Sequence, residues 1–209
     1  MVGVGFDGYI KTPKLYIMVG LSGAGKSTIA QQLAEDENCV IVSSDDIRGE
    51  ICEGGVSDQS KNEEVFKIYH KRIKQNLLAG NNVIADATNI TIKSRRCTFI
   101  ALRGIEYHSI AYIIPKKVVD CLIDNVSNRR SNPVPEEVIY RQRGNFQIPF
   151  KEEGFDEIII HKFDEEETYS NFLPSCFNRM KGFDQKNPYH DMDLYDHSTF
   201  MPFCGIKKS

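Results

Sequence analysis

The chain contains the stretch Gly20-Leu21-Ser22-Gly23-Ala24-Gly25-Lys26-Ser27-Thr28, which follows an apolar run at 15–19 and precedes a helical run that begins at Ile29. Its glycines let the backbone curl so that successive N–H groups converge on one anion, and the following helix adds the positive end of its dipole. Lysine and serine close the stretch in the order of a triphosphate-binding loop. The pattern predicts a nucleoside-triphosphate site formed by Gly20, Ser22, Gly23, Ala24, Gly25, Lys26, Ser27 and Thr28. We expect Lys26 to reach the β- and γ-phosphates and the Ser27 hydroxyl to bind Mg²⁺.

Four more short apolar runs follow along the chain, at 40–42, 83–85, 110–114 and 158–160. Each is apolar on both alternations, which is typical of a strand buried on two faces. Helical spacing fills the segments between them, so the sequence predicts an α/β fold: a parallel sheet of about five strands with helices on both faces and a helical lid. Two helices are indicated by apolar residues that share one face, Val65, Tyr69, Ile73 and Leu77 in the first and Val118, Val119, Leu122, Ile123 and Val126 in the second.

Composition is that of a globular protein with a small net charge. The 209 residues include 41% hydrophobic and 26% charged residues, and the net charge is −3. A general nucleic-acid coat protein is basic, so that class is disfavoured, whereas an enzyme with a local basic patch stays open. We expect a cytoplasmic protein without a membrane span, because no apolar run approaches the roughly 20 residues that a bilayer requires. Six scattered cysteines and the absence of a secretory signal agree with this expectation.

The second apolar run ends in Ser43-Ser44-Asp45-Asp46-Ile47-Arg48-Gly49. Because ligands of doubly wound sheets bind beyond the carboxyl ends of the strands, this segment faces the same crevice as the phosphate-binding loop. Asp45 could accept a proton from an incoming hydroxyl, and Arg48, one helical turn on, could bind a phosphate of the acceptor. The alternative is that Asp45 or Asp46 caps a helix and that Arg48 pairs with a surface acid.

The third run ends in Asp86-Ala87-Thr88-Asn89. Asp86 could hold Mg²⁺ through water, as the acid after a buried strand does in triphosphate-binding proteins. Thr88 and Asn89 could bind a substrate phosphate or cap the next helix. A local basic patch follows, or else an ordinary solvated helix face, with Lys93, Arg95 and Arg96.

A polar connection with two arginines lies between the fourth and fifth runs, at residues 128–138. Pro135 can open a helix at its first turn. Phosphoryl transfer often uses an arginine on a closing lid to neutralise charge on the γ-phosphate, so we expect Arg129 or Arg130 to serve in this way. The alternative is a solvated loop tip.

The ordered motifs GLSGAGKS, SSDDIRG, DATN, NRRSNPVPEEVI and EEGFDEIII together resemble the polynucleotide 5′-kinase family of P-loop phosphotransferases, over about residues 14–162. That family includes phage polynucleotide kinase and the kinase modules of bacterial RNA-repair enzymes. The resemblance implies transfer of the γ-phosphate of ATP, or of another nucleoside triphosphate, to a 5′-hydroxyl end of DNA or RNA.

The same resemblance implies roles for single residues. Asp45 would be the general base, Arg48 would hold the 3′-phosphate of the acceptor nucleotide, and Thr88 would lie near that phosphate. Arg129 best matches the lid arginine, although the assignment could shift to Arg130. Where some relatives have a second arginine, this chain has Asn125. The implied catalytic residues are therefore Lys26, Asp45 and Arg129.

Composition changes after Lys162, and residues 163–209 are predicted to form an appendage behind a kinase domain at 14–162, with 1–13 as an N-terminal extension. The segment 182–197 resembles the start of an HD-type phosphohydrolase module. His190 and His197 alone cannot build a closed metal site, so a remnant is expected rather than a working hydrolase.

Two other functions stay open at this point. One is a P-loop kinase of a small metabolite or nucleoside, which the modest net charge fits equally well. The other is an ATP-binding regulatory or toxin-like protein that uses the nucleotide as a switch. A switch needs no acceptor site, so Asp45, Arg48 and the lid arginines argue against it.

Overall fold

The computed structural model describes residues 12–53, 60–127 and 133–162. The predicted lid arginines Arg129 and Arg130, the HD-like segment and most of the N-terminal extension lie outside the described residues. The predicted limits of the kinase domain therefore stay predictions.

In the part of the chain that the structure describes, five parallel strands form one sheet, as the apolar runs predict. They are β1 (Lys14–Val19), β2 (Cys39–Ser43), β3 (Asn82–Asp86), β4 (His108–Ile113) and β5 (Glu157–Ile160). Their order across the sheet is β2-β3-β1-β4-β5, and all four pairs of neighbours are parallel. The central strand β1 is buried on both faces, since Leu15, Ile17 and Val19 on one face are fully inaccessible to solvent and Tyr16 and Met18 on the other are at most 2% exposed. The predicted α/β fold with a parallel sheet is confirmed.

Within the described ranges, six α-helices connect or follow these strands. They are α1 (Lys26–Glu37), α2 (Ser44–Ile51), α3 (Asn62–Leu78), α4 (Ile92–Ala101), α5 (Val118–Ser127) and α6 (Glu136–Gly144), with a short 3₁₀ turn at Lys151–Glu153 before β5. The carboxyl ends of β1, β2 and β3 lead directly to the phosphate-binding loop, to α2 and to the segment before α4. This arrangement brings the three polar segments of the sequence to one edge of the sheet.

The two apolar helix faces differ in how far they are buried. On α3 the residues Val65, Tyr69, Ile73 and Leu77 are buried, as their spacing predicts. On α5 the buried residues are Cys121 and Asn125 instead. Of the predicted apolar positions of α5, Val118 and Leu122 are half-buried against the core, whereas Val119, Ile123 and Val126 are exposed. Helical spacing shows which residues share a face, but it does not show which face the sheet covers.

Candidate active site

The phosphate-binding loop turns on two glycines and ends on a helix. Gly23 and Gly25 have φ values of 82° and 87°, in the left-handed region that residues with a Cβ rarely adopt. Gly25 is the N-cap of α1, so no side chain of its own occupies the first N–H groups of the helix. Lys26 begins the helix, and its Nζ donates to the Leu21 carbonyl oxygen at 2.8 Å. The loop thus curls around its own lysine.

Gly23 is also required by its contact with α5. A Cβ at this position would lie 2.1 Å from the carbonyl oxygen of Cys121. Backbone meets backbone here, so no side-chain rotation could relieve the overlap. The contact explains why Cys121 is buried although its helix presents an apolar stripe elsewhere.

The predicted metal residues are brought together. Ser27 Oγ donates to Asp86 Oδ2 at 2.8 Å, between the first turn of α1 and the end of β3. Burial raises the pKa of the Asp86 carboxyl. The positive charge of Lys26 and the hydrogen bond from Ser27 lower this pKa, whereas the negative charges of Asp45 and Asp46 raise it further. A hydroxyl and a carboxylate are the hard oxygen donors that Mg²⁺ prefers, so this pair fits the metal.

The acceptor side begins one strand away. Ser43 is paired with Asp86 in the register of β2 and β3, and α2 starts at the next residue. Ser43 is the N-cap, because its hydroxyl accepts from the Asp46 N–H at 3.2 Å. Capping by Asp45 or Asp46, the alternative considered above, is therefore wrong. Asp45 is exposed in the first turn of α2. Its negative charge raises the pKa of the buried Asp86 carboxyl, which the positive charge of Lys26 lowers.

Arg48 lies on α2 one turn after Asp45. It is buried, with 5% of its surface exposed. Its Nη2 donates to Oδ1 of Asn62, the first residue of α3, at 2.9 Å. Arg48 is therefore not a surface side chain, as the alternative considered above would require. A buried guanidinium beside an exposed carboxylate is an arrangement suited to a phosphorylated alcohol.

Thr88 and Asn89 have different environments. Thr88 is half-buried, and its carbonyl oxygen accepts from Gly20 N–H at 3.3 Å, which ties the segment after β3 to the phosphate-binding loop. Asn89 is buried, and its Nδ2 donates to the carbonyl oxygens of Met18, Ala85 and Ala87 at 3.0, 3.4 and 3.4 Å. These bonds to the main chain argue against the predicted contact between Asn89 and a substrate phosphate. The cap of α4 is Thr91.

Arg95 does not belong to a surface patch. It is fully buried and forms a two-point ion pair with Glu153, with Nε and Nη2 each 2.7 Å from a carboxylate oxygen. Its Nη1 donates to the carbonyl oxygens of Asn89 and Gln147 at 2.9 and 3.0 Å. Both interpretations of the sequence, a basic patch and a solvated helix face, are therefore wrong for Arg95, whose cation instead links α4 to residues 89, 147 and 153.

One side chain at the loop was not singled out in the sequence. Gln142 of α6 accepts from the Ser22 N–H with Oε1 at 2.9 Å and donates from Nε2 to Ser22 Oγ at 3.0 Å. The two residues are 120 positions apart, and no local pattern marks glutamine for such a contact. Near the start of the predicted lid, Asn125 makes a similar pair of bonds to the backbone of Val134, at 2.7 and 3.0 Å.

A comparison with family models now adds to this geometry. Residues 15–149 match the model of the AAA_33 family, described as an AAA domain. The chain belongs to this family. Within the AAA_33 match lie the phosphate-binding loop, Asp45, Arg48 and Asp86, together with β2, β3, β4 and all of β1 except Lys14, whereas β5 lies beyond the match. No curated protein sequence matches the chain.

Solved structures share the fold of this AAA_33 domain. A chain of the Pnkp1/Rnl/Hen1 RNA repair complex is 24% identical with a TM-score of 0.58, over 68% of this chain and 46% of that one. A sugar kinase from Janibacter sp. HTCC2649 is 13% identical with a TM-score of 0.53, over 78% and 98% of the two chains. A fungal RNA kinase is 14% identical with a TM-score of 0.51, over 88% and 46%.

These likenesses confirm the predicted P-loop kinase fold. The protein spans less than half the length of the RNA-repair chain. No helix in the described parts of the chain is both long enough and apolar enough to cross a bilayer.

Proposed function

We propose that the protein is an ATP-dependent polynucleotide 5′-hydroxyl kinase. One observation carries this proposal: Asp86 accepts a hydrogen bond at 2.8 Å from Ser27, the residue after Lys26, and is paired in the sheet with Ser43, two residues before Asp45. A general base and a donor-phosphate site that meet at one carboxylate can serve a single transfer reaction.

The donor side would be formed by the loop amides, Lys26 and the N-terminus of α1. Ser27 and Asp86 are the residues that would hold Mg²⁺, directly and through water. When bound, Mg²⁺ would neutralise charge on the β- and γ-phosphates. Lys26 would exchange its bond with the Leu21 carbonyl for the phosphate oxygens, which attract a cation more strongly than a neutral carbonyl does.

The acceptor side would be formed by α2. The Asp45 carboxylate would take the proton of the 5′-hydroxyl as the oxygen attacks the γ-phosphorus, and the bond from that phosphorus to the oxygen bridging to the β-phosphate would break. No covalent intermediate on the protein is required. Arg48 would bind the 3′-phosphate of the terminal nucleotide. The predicted lid arginine, Arg129 or Arg130, would complete the charge neutralisation.

The nature of the acceptor rests on the motif resemblance and on Arg48. A phosphate-binding guanidinium next to the base suits a nucleotide acceptor, whose terminal sugar carries a phosphate beside its free hydroxyl. The fold is also that of a sugar kinase. A small-metabolite acceptor is therefore the competing outcome of the experiment below.

The experiment is incubation with γ-labelled ATP and Mg²⁺ in the presence of matched acceptors. The panel consists of 5′-hydroxyl DNA and RNA oligonucleotides, the same oligonucleotides with a 5′-phosphate, nucleosides, and sugars such as gluconate. We expect label only on 5′-hydroxyl oligonucleotides, released by nuclease digestion as a 5′-labelled nucleotide. Label on a sugar or nucleoside alone would contradict the polymer acceptor, and ATP binding without any labelled acceptor would favour the regulatory alternative.

A further inference from the structure

Two helices, α5 and α6, contact adjacent residues of the phosphate-binding loop. The Cys121 carbonyl of α5 lies against Gly23, where a Cβ would come within 2.1 Å of the oxygen. Gln142 of α6 bonds both polar groups of Ser22, its N–H at 2.9 Å and its Oγ at 3.0 Å. The position of residues 22 and 23 is thus set from outside the loop.

The contact at Ser22 uses the whole amide group of Gln142. An N–H needs an acceptor and Ser22 Oγ here takes a donor, so one planar amide with both functions matches the pair. Ser22 is buried, with 8% of its surface exposed, and Gln142 is half-buried. A lost bond in such a place leaves a polar group without water to replace its partner.

The helix that carries Gln142 is itself anchored. Ile139, one turn before Gln142, is fully buried, and α6 packs against α5. Glu136 and Glu137 lie in the first turn, where carboxylates favour the helix dipole. Gln142 therefore extends from a helix that packs against α5 and buries Ile139 in the core.

From this geometry we infer that Gln142 is a positioning residue of the nucleotide site. It holds Ser22, and with it the neighbouring Gly23, in the loop conformation that binds the triphosphate. This inference rests on the nucleotide site of the proposed function but not on the identity of the acceptor.

The test is a double-mutant cycle read out by ATP binding in the full chain. Gln142→Leu keeps the size of the side chain and removes both bonds, and we expect the Kd for ATP to rise about tenfold, which corresponds to about 1.4 kcal/mol. Ser22→Ala removes only the bond to Oγ and should have a smaller effect. The double variant should bind ATP no more weakly than Gln142→Leu alone, because both changes break one contact.

Controls separate positioning from stability and from the acceptor. Gln75→Leu makes the same exchange at an exposed site on α3 and should leave the Kd unchanged. The unfolding midpoint of each variant is measured alongside. Independent, additive effects of the two substitutions, or a lower midpoint with an unchanged Kd, would overturn the inference, as would a wild-type protein that binds no ATP. If the wild-type protein binds ATP but labels no 5′-hydroxyl end, the proposed function is contradicted. The mutant cycle then still tests the role of Gln142, because it measures ATP binding alone.

Discussion

Arg48 is the residue on which the choice of acceptor depends. Its guanidinium is buried beside Asn62 and one turn from Asp45. We expect Arg48→Ala to raise KM for an acceptor with a 3′-phosphate by roughly 10- to 100-fold, since a hydrogen bond to a charged group contributes about 1.5–3 kcal/mol. Steady-state kinetics on acceptors with and without that phosphate measures the effect.

The matched control for this prediction is Arg72→Ala. Arg72 also pairs through its guanidinium, with Glu50 at 2.9 Å, but at the surface. This variant should keep the wild-type KM for both acceptors. An equal loss of Arg48→Ala on acceptors that lack the phosphate would contradict the assigned role.

Gly23 is the residue where loop shape and helix packing coincide. Replacement by alanine strains a backbone at φ 82° and also places a Cβ against the Cys121 carbonyl. Gly104 has a similar φ of 81°, yet a Cβ there would meet nothing within 4 Å. We expect Gly23→Ala to lower the free energy of unfolding by at least about 2 kcal/mol more than Gly104→Ala, because overpacking adds to the strain. Urea unfolding compares them, and equal losses would count against the packing argument.

At the scale of elements, α3 and α4 meet at a buried histidine. His70 of α3 lies 3.2 Å from Thr98 Oγ1 of α4 through Nε2, and burial lowers the pKa of His70 to about 4. The unfolded chain has a histidine pKa near 6.5, so it binds the proton more tightly than the folded protein does. Stability from this site is present above about pH 6.5 and is lost as the pH falls toward 4.

When the pH is lowered from 7.5 to 5, we expect His70 to reduce the free energy of unfolding by about 2 kcal/mol. His70→Gln does not titrate in this range, so its stability should change less over the same interval. Gln75 is an exposed residue of α3 that does not titrate, and Gln75→Leu should leave the pH dependence of the wild type in place. Urea unfolding at both pH values measures the three proteins, and an unaltered pH dependence in His70→Gln would refute the account.

Elements differ in how much of their environment the sequence predicts. All five strands were predicted, since a run that is apolar on both alternations leaves a buried parallel strand as the simplest reading. The sequence predicts that the apolar residues of α5 share one face, but it does not predict which way this face points. That direction is set by the Cys121–Gly23 contact and by the bonds between Asn125 and Val134, which no helical period encodes.

In the molecule as a whole, some features of the candidate site could be predicted from the sequence and others could not. The loop, Ser27 and Asp86 could be predicted because strand ends of a parallel sheet share one edge. The contacts of Ser22 with Gln142 and of Arg95 with Glu153 join residues 120 and 58 positions apart. Arginine and asparagine side chains often bind ligands, and only the burial of Arg95 and Asn89 shows that these two stabilise the fold instead. Burial of polar side chains depends on packing that one sequence does not display.

The central claim is that Asp45 takes the proton of an acceptor hydroxyl that attacks the triphosphate held at Lys26 in the same crevice. Single-turnover transfer of the labelled γ-phosphate to a 5′-hydroxyl oligonucleotide tests it most directly. Asp46 provides the control, because it is an exposed carboxylate in the same helical turn. We predict that Asp45→Asn slows transfer by roughly 10²–10⁴-fold with unchanged ATP binding, as expected for loss of a general base, while Asp46→Asn retains the wild-type rate. Near-normal transfer by Asp45→Asn, or an equal loss in both variants, would contradict the account.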